Sequence, residues 1–120
     1  LRCLVGSEMC IRDSQEALQS LKHFLRQNYS AQVDLPRLAQ MCYMSKSKLT
    51  YLFRMLYGTT IYEFVLACRI DRAKELLADQ EKKISEIATL VGYERQSSFS
   101  AAFHQRTGIT PNEFRRQLGN

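Results

Sequence analysis

The chain has 120 residues, 45% of them apolar, and a formal charge of +5. That length fits one domain or two very small ones, and the apolar share excludes disorder throughout. No apolar run approaches the roughly 18 residues that span a bilayer, FVLAC at 64–68 being the densest, which argues against a membrane protein.

Residues 1–14, LRCLVGSEMCIRDS, show no clear period, lack the apolar region of a signal peptide and do not begin with Met. They look unlike everything after them and are expected to be a leader outside the domain proper, disordered or foreign, with no function of its own. From residue 15 the helical period is clear. Ala17, Leu18, Leu21, Phe24 and Leu25 follow the i, i+3/i+4, i+7 rule and predict a first helix over about 15–28. Asp34 is placed to cap a short helix carrying Leu35, Leu38, Ala39 and Cys42. Ser45 is placed to cap a third, whose stripe is Leu49, Leu52, Phe53 and Leu56 and which stops before Gly58. A long helix is predicted over about 60–79, with Phe64, Ala67, Cys68, Ala73, Leu76 and Leu77. Helices at about 84–91, 95–107 and 111–118 complete an all-α chain of seven helices.

The four cysteines form no C-x-x-C, and neither His23 nor His104 lies near one in sequence, so a zinc site or disulfide framework is not expected. Cys42 and Cys68 read as small core residues in a reducing cytoplasm. No metal constellation, phosphate-cradling Gly-rich loop or nucleophile with a base is present, so neither enzyme activity nor a cofactor is expected. The charges are unevenly placed. Asp71, Glu75, Asp79, Glu81 and Glu86 cluster, whereas 45–57 holds Lys46, Lys48 and Arg54 with no acid, and 95–106 holds Arg95 and Arg106 with none. Two acid-free basic segments of helix length point to a polyanionic partner.

The two segments are copies of one unit. Leu35, Leu38 and Ala39 correspond to Ile84, Ile87 and Ala88 at an offset of 49, and Leu49, Phe53, Gly58, Glu63 and Phe64 to Phe99, Phe103, Gly108, Glu113 and Phe114 at an offset of 50. The second copy has gained one residue in its turn, where Gly92 and Tyr93 lie. Thr60 with Glu63, and Thr110 with Glu113, both read as capping boxes. Each copy is a short helix, a tight turn, a longer helix and a glycine stop, which is the helix-turn-helix plan, with Ala39 and Ala88 letting the two helices approach. The competing reading is a pair of helical hairpins that dock a protein partner.

With the apolar stripe removed, the first reading helix presents Lys46, Ser47, Thr50 and Tyr51, with Arg54 one turn on. Thr50 and Tyr51 offer methyl, ring or hydroxyl contacts to base edges, while Lys46, Lys48 and Arg54 suit phosphates. The second presents Arg95, Gln96, Ser97, Ser100, Ala101 and His104, with Arg106 beyond. Gln96 can pair with adenine and Arg95 with guanine or phosphate; Ala101 offers only a methyl.

The run ISEIATLVGYERQSSFSAAFHQRTGITPNEFRR, with RIDRAKELL in the long helix and SKSKLTYLFRMLYGTT in the first copy, closely resembles the AraC/XylS-type transcription regulators over about 15–118. The resemblance implies two helix-turn-helix subdomains, 15–58 and 81–118, joined by a linker helix within 59–80, each placing its second helix in a major groove of double-stranded DNA. It implies base contacts at Ser47, Thr50 and Tyr51. It implies a bacterial, cytoplasmic, nucleoid-associated regulator, most often an activator that contacts RNA polymerase. The family often has a larger polar residue where this chain has Ala101, so weak base reading by the second copy is expected. A linker of about twenty residues is roughly 30 Å long, close to the ~34 Å between successive major-groove faces.

Overall fold

The computed structural model describes residues 7–119, with side chains from Ser14 onward. Among the described residues there are seven helices: α1 (Ser7–Gln27), α2 (Leu35–Met41), α3 (Lys46–Tyr57), α4 (Ile61–Leu77), α5 (Ile84–Leu90), α6 (Gln96–Thr107) and α7 (Pro111–Gly119). The all-α class follows the 3.6-residue period of the apolar positions. Contacts divide the chain into two compact units, one running through Asn28 and then Val33–Phe64, the other formed by Tyr29–Gln32 with Val65–Asn120. None of the described helices is long and apolar enough to cross a membrane.

In the first unit, Leu18, Leu21 and Leu25 of α1, Leu38 and Ala39 of α2, Leu49 and Phe53 of α3, and Ile61 at the start of α4 are all buried. Phe53 meets Tyr57 and Phe64 edge-on, at ring-centroid separations of 4.9 and 5.8 Å. Lys22 Nζ lies 4.2 Å from the centre of the Tyr57 ring, a cation–π contact. The Cys42 thiol points at the Ala17 carbonyl 3.9 Å away, and burial pushes its pKa up, so it stays a protonated core residue.

Three sequence expectations need correcting in this unit. Helix α1 starts at Ser7, so residues 7–14 of the expected leader are helical, while residues 1–6 of it lie outside the described residues. Extending a helix already formed orders one residue for each new hydrogen bond, so it needs no apolar stripe of its own. Phe24 is 38% exposed and Leu56 is 40% exposed; each sits at the edge of its helix's apolar arc, where the period alone overcounts the buried face.

The core of the second unit is Ile70, Ala73 and Leu77 of α4, Ile84, Ile87 and Ala88 of α5, Val91, and Phe99 and Phe103 of α6. Tyr29, Leu66, Leu76, Tyr93 and Phe114 pack against it. The deepest positions of α4 over its whole length are Ile61, Val65, Ile70, Ala73 and Leu77, so Phe64, Ala67 and Cys68, expected in the stripe, flank it instead. Two arginines hold segments onto this unit. Arg69 donates to the carbonyls of Tyr29 (2.7 Å) and Ala31 (3.0 Å) and stacks over the Tyr93 ring at 5.1 Å. Arg115 donates to the carbonyls of Leu77 (3.1 Å) and Asp79 (3.1 Å), satisfying acceptors that the end of α4 leaves open.

The duplication holds in detail. From 46–60 and from 96–110 the burial of each position matches its counterpart, except that Thr50 is exposed and Ser100 half-buried. Phe53–Phe64 and Phe103–Phe114 are both edge-on pairs with an interplanar angle of 73°. The two capping boxes form as expected. Thr60 N–H donates to Glu63 Oε1 (3.1 Å) and Glu63 N–H to Thr60 Oγ1 (3.1 Å); Thr110 and Glu113 repeat this at 2.9 and 3.1 Å.

Candidate nucleic-acid interface

A helix can read DNA only where its outward face carries side chains that the fold does not use. α3 starts from a true N-cap: Ser45 Oγ accepts from Lys48 N–H at 3.1 Å. Lys46, Ser47, Lys48, Thr50, Tyr51 and Arg54 are all exposed, as the sequence leads one to expect, and Tyr51 is 62% so. Thr50 differs in one respect. Its hydroxyl donates to the Lys46 carbonyl at 2.9 Å, so outwardly it offers a methyl group and a lone pair rather than a free donor. Met55, beside Arg54, is also exposed.

On α6, Arg95, Gln96, Ser97, Ala101, His104 and Arg106 are exposed. Ser100 is half-buried and does not stand out from the surface as expected; serine lacks the γ-methyl branch by which the threonine of the first copy presents additional outward surface. Arg95 occupies the N-cap of α6, the place of Ser45, and makes no capping bond because a guanidinium has no acceptor. Its charge therefore sits at the entrance of the helix with no role in starting it. Arg69 and Arg115, both half-buried, are by contrast engaged with backbone carbonyls.

The acids that follow each reading helix, Glu63 and Glu113, are tied to the start of the next helix. The Glu63 carboxylate is held below its ordinary value mainly by the Thr60 backbone N–H, then by the Thr60 and Thr59 hydroxyls, with Arg54 a smaller influence. Glu113 is lowered likewise, by the Thr110 backbone N–H first and then the Thr110 hydroxyl, with Arg116 and then His104 as smaller influences. Both carboxylates accept from helix starts; α3 and α6 themselves contain no acid, and the exposed Glu94 stands just before the N-cap of α6.

One feature of this surface was missed from sequence. Tyr43, in the turn before α3, has φ 55° and is 96% exposed. The repeat contained the signal, because Tyr43 stands at the place of Gly92, whose φ is 107°.

Two helix-turn-helix units with exposed, acid-free second helices define the class of a DNA-binding domain. A helix-turn-helix domain family matches residues 38–117, and the chain belongs to it, within the AraC type. It is similar to the probable transcriptional regulator LumQ of Photobacterium leiognathi, 28% identical over 95% of this chain and 48% of that protein. Among solved structures it is similar to the C-terminal domain of AraT, a response regulator from Geobacillus stearothermophilus, with TM-score 0.77 and 28% identity, covering 88% of this chain and 84% of that one. It is also similar to a transcriptional regulator with an AraC-type DNA-binding domain from Chromobacterium violaceum, with TM-score 0.73 and 26% identity, covering 95% and 96% of the two chains. The chain spans about half the length, or less, of the curated relatives it matches.

Proposed function

We propose that the chain is the DNA-binding part of a sequence-specific transcription regulator acting as an activator, with α3 and α6 each entering a major groove. The observation that carries this reading is the duplicated outward face: the same positions exposed in both copies, Ser100 alone excepted, basic on balance and without acid. Lys46, Lys48, Arg54, Arg95 and Arg106 would meet phosphates, Ser47, Thr50, Tyr51, Gln96 and Ser97 base edges, Ala101 a thymine methyl, and His104 a phosphate when protonated. Ser100, half-buried, is left a minor part. RNA polymerase is the partner that an activator requires, and the bacterial cytoplasm, at the nucleoid, is the expected location. No catalytic role is assigned.

The test is binding of duplex DNA followed by fluorescence anisotropy across a salt series, with footprinting on a selected site. Binding that weakens steeply with salt and a footprint covering two major grooves about one turn apart are expected. Under the alternative, a helical bundle that docks a protein, Lys46→Glu, Arg54→Glu and Arg95→Glu would leave any residual DNA affinity unchanged. Loss of binding in those variants decides for DNA.

A further inference from the structure

Helices α2 and α5 end in the same way. Tyr43 N–H donates to the Gln40 carbonyl (3.1 Å) and Met44 N–H to the Ala39 carbonyl (3.1 Å); Gly92 and Tyr93 repeat this onto Thr89 (3.1 Å) and Ala88 (2.9 Å). This double closure needs one residue in the left-handed region, a place that glycine fills without cost and an L side chain only under strain. The second copy uses glycine there, and the chain does so again at Gly58 and Gly108, while the first copy uses Tyr43. An aromatic ring normally repays its place by burial, yet Tyr43 is 96% exposed, and among the described residues its side chain makes no ring contact or hydrogen bond. The strain therefore serves nothing internal. What the position offers is location: the ring leaves the chain two residues before Ser45, the N-cap of the first reading helix, and three before the exposed Lys46.

We propose that Tyr43 is a DNA-positioning residue whose phenolic hydroxyl donates a hydrogen bond to a backbone phosphate at the rim of the groove entered by α3. The inference rests on the reading of α3 as a DNA-contacting helix. Tyrosine is a known type of phosphate donor in protein–DNA contacts, and such a contact fixes register without reading sequence. Being neutral, it displaces no counterion. It adds affinity without adding to the salt dependence, which separates it from every lysine and arginine on the same surface.

The test uses the full chain, a mixed-sequence duplex of about 30 base pairs, roughly three turns, and anisotropy titrations over a range of salt. Tyr43→Phe keeps the ring and the backbone and removes only the hydroxyl; it is expected to weaken binding about three- to tenfold, as for loss of one ordinary hydrogen bond at a solvated surface. Its slope of log affinity against log salt should equal that of the unaltered chain, whereas Lys46→Ala should lower the slope by about 0.9. Tyr43→Gly should weaken binding as much while raising the melting temperature by about 3–6 °C, since it relieves the strained residue. Equal affinity of Tyr43→Phe and the unaltered chain would overturn the proposal, and would leave the exposed ring to a protein partner. Loss in Tyr43→Gly but not in Tyr43→Phe would overturn it as well, because the ring and not the hydroxyl would then be at work. Failure of the unaltered chain to bind duplex DNA would bring down the reading of α3 itself, a result distinct from either.

Discussion

At the scale of single residues, the left-handed positions separate two reasons for a glycine. A Cβ built on Gly92 would lie 2.5 Å from the Ser30 carbonyl oxygen and 2.8 Å from the Ser30 Cα, so backbone blocks it as well as the positive φ. A Cβ on Gly58 meets nothing within 4 Å, leaving only the conformational cost at φ 71°. Gly58→Ala should therefore cost about 1 kcal/mol, and Gly92→Ala about 2–4 kcal/mol because Ser30 must also move. Urea denaturation of both variants checks this, and equal losses would mean that the approach of Ser30 has no energetic weight. The same comparison explains why tyrosine is possible at the position equivalent to Gly92. Nothing crowds Tyr43, so the fold tolerates a side chain there at the cost of backbone strain alone.

At the scale of the element, the helix starts differ in what their side chains can accept. Ser45 caps α3, so Ser45→Ala should lower stability by about 1 kcal/mol. Arg95 leaves α6 uncapped, so Arg95→Ser should raise stability by about as much while weakening DNA binding. Paired thermal melts and anisotropy titrations of the two variants separate these effects; a change of the same sign in stability would count against the capping account. The capping boxes add a pH dependence. Glu63 and Glu113 both have folded-state pKa values below the ordinary glutamate value, so each binds its proton less readily folded than unfolded. Their contribution is present above the ordinary glutamate value and is lost as pH falls through the lowered ones. Both groups are fully exposed, so the effect is small, and it is best read as a difference: the double change Glu63→Gln, Glu113→Gln should flatten the acid limb of a stability–pH curve by lowering its neutral plateau slightly while leaving its most acid end in place. An acid limb of unchanged steepness would show that other carboxylates govern it. These local signals were the legible part of the sequence, because caps, periods and glycine stops act over three or four residues. Long-range contacts left no such trace. Nothing near Arg69 or Arg115 in sequence announces that their guanidinium groups reach carbonyls 36 to 40 residues away. The exposure of Phe24 and Leu56 depends equally on neighbours brought close only by the fold.

At the scale of the whole molecule, duplication gave two units one backbone plan, and the outward residues then diverged. α3 presents Thr50, with a methyl and a lone pair, and Tyr51, a large ring carrying a hydroxyl. The same places on α6 hold a half-buried Ser100 and an exposed Ala101, which between them carry little that can distinguish one base edge from another. Groups that discriminate bases are worth about 1–3 kcal/mol each against a wrong pair, and groups that hold phosphates are worth nearly nothing in discrimination. The chain should therefore draw sequence specificity mostly from its first copy and general affinity from both. Selection of binding sites from a randomised duplex pool measures this directly: one half-site should emerge with sharply defined positions, the other with diffuse ones. Tyr51→Ala should blur the sharp half and leave the diffuse half as it was, with overall affinity for mixed-sequence DNA reduced only slightly. Ala101→Gln, which restores a polar side chain able to pair with adenine, should sharpen a position in the diffuse half. Two half-sites of equal definition, or a sharp half-site that survives Tyr51→Ala, would place base reading elsewhere: on Gln96 and Arg95 of the second copy in the first case, on Ser47 and Thr50 in the second.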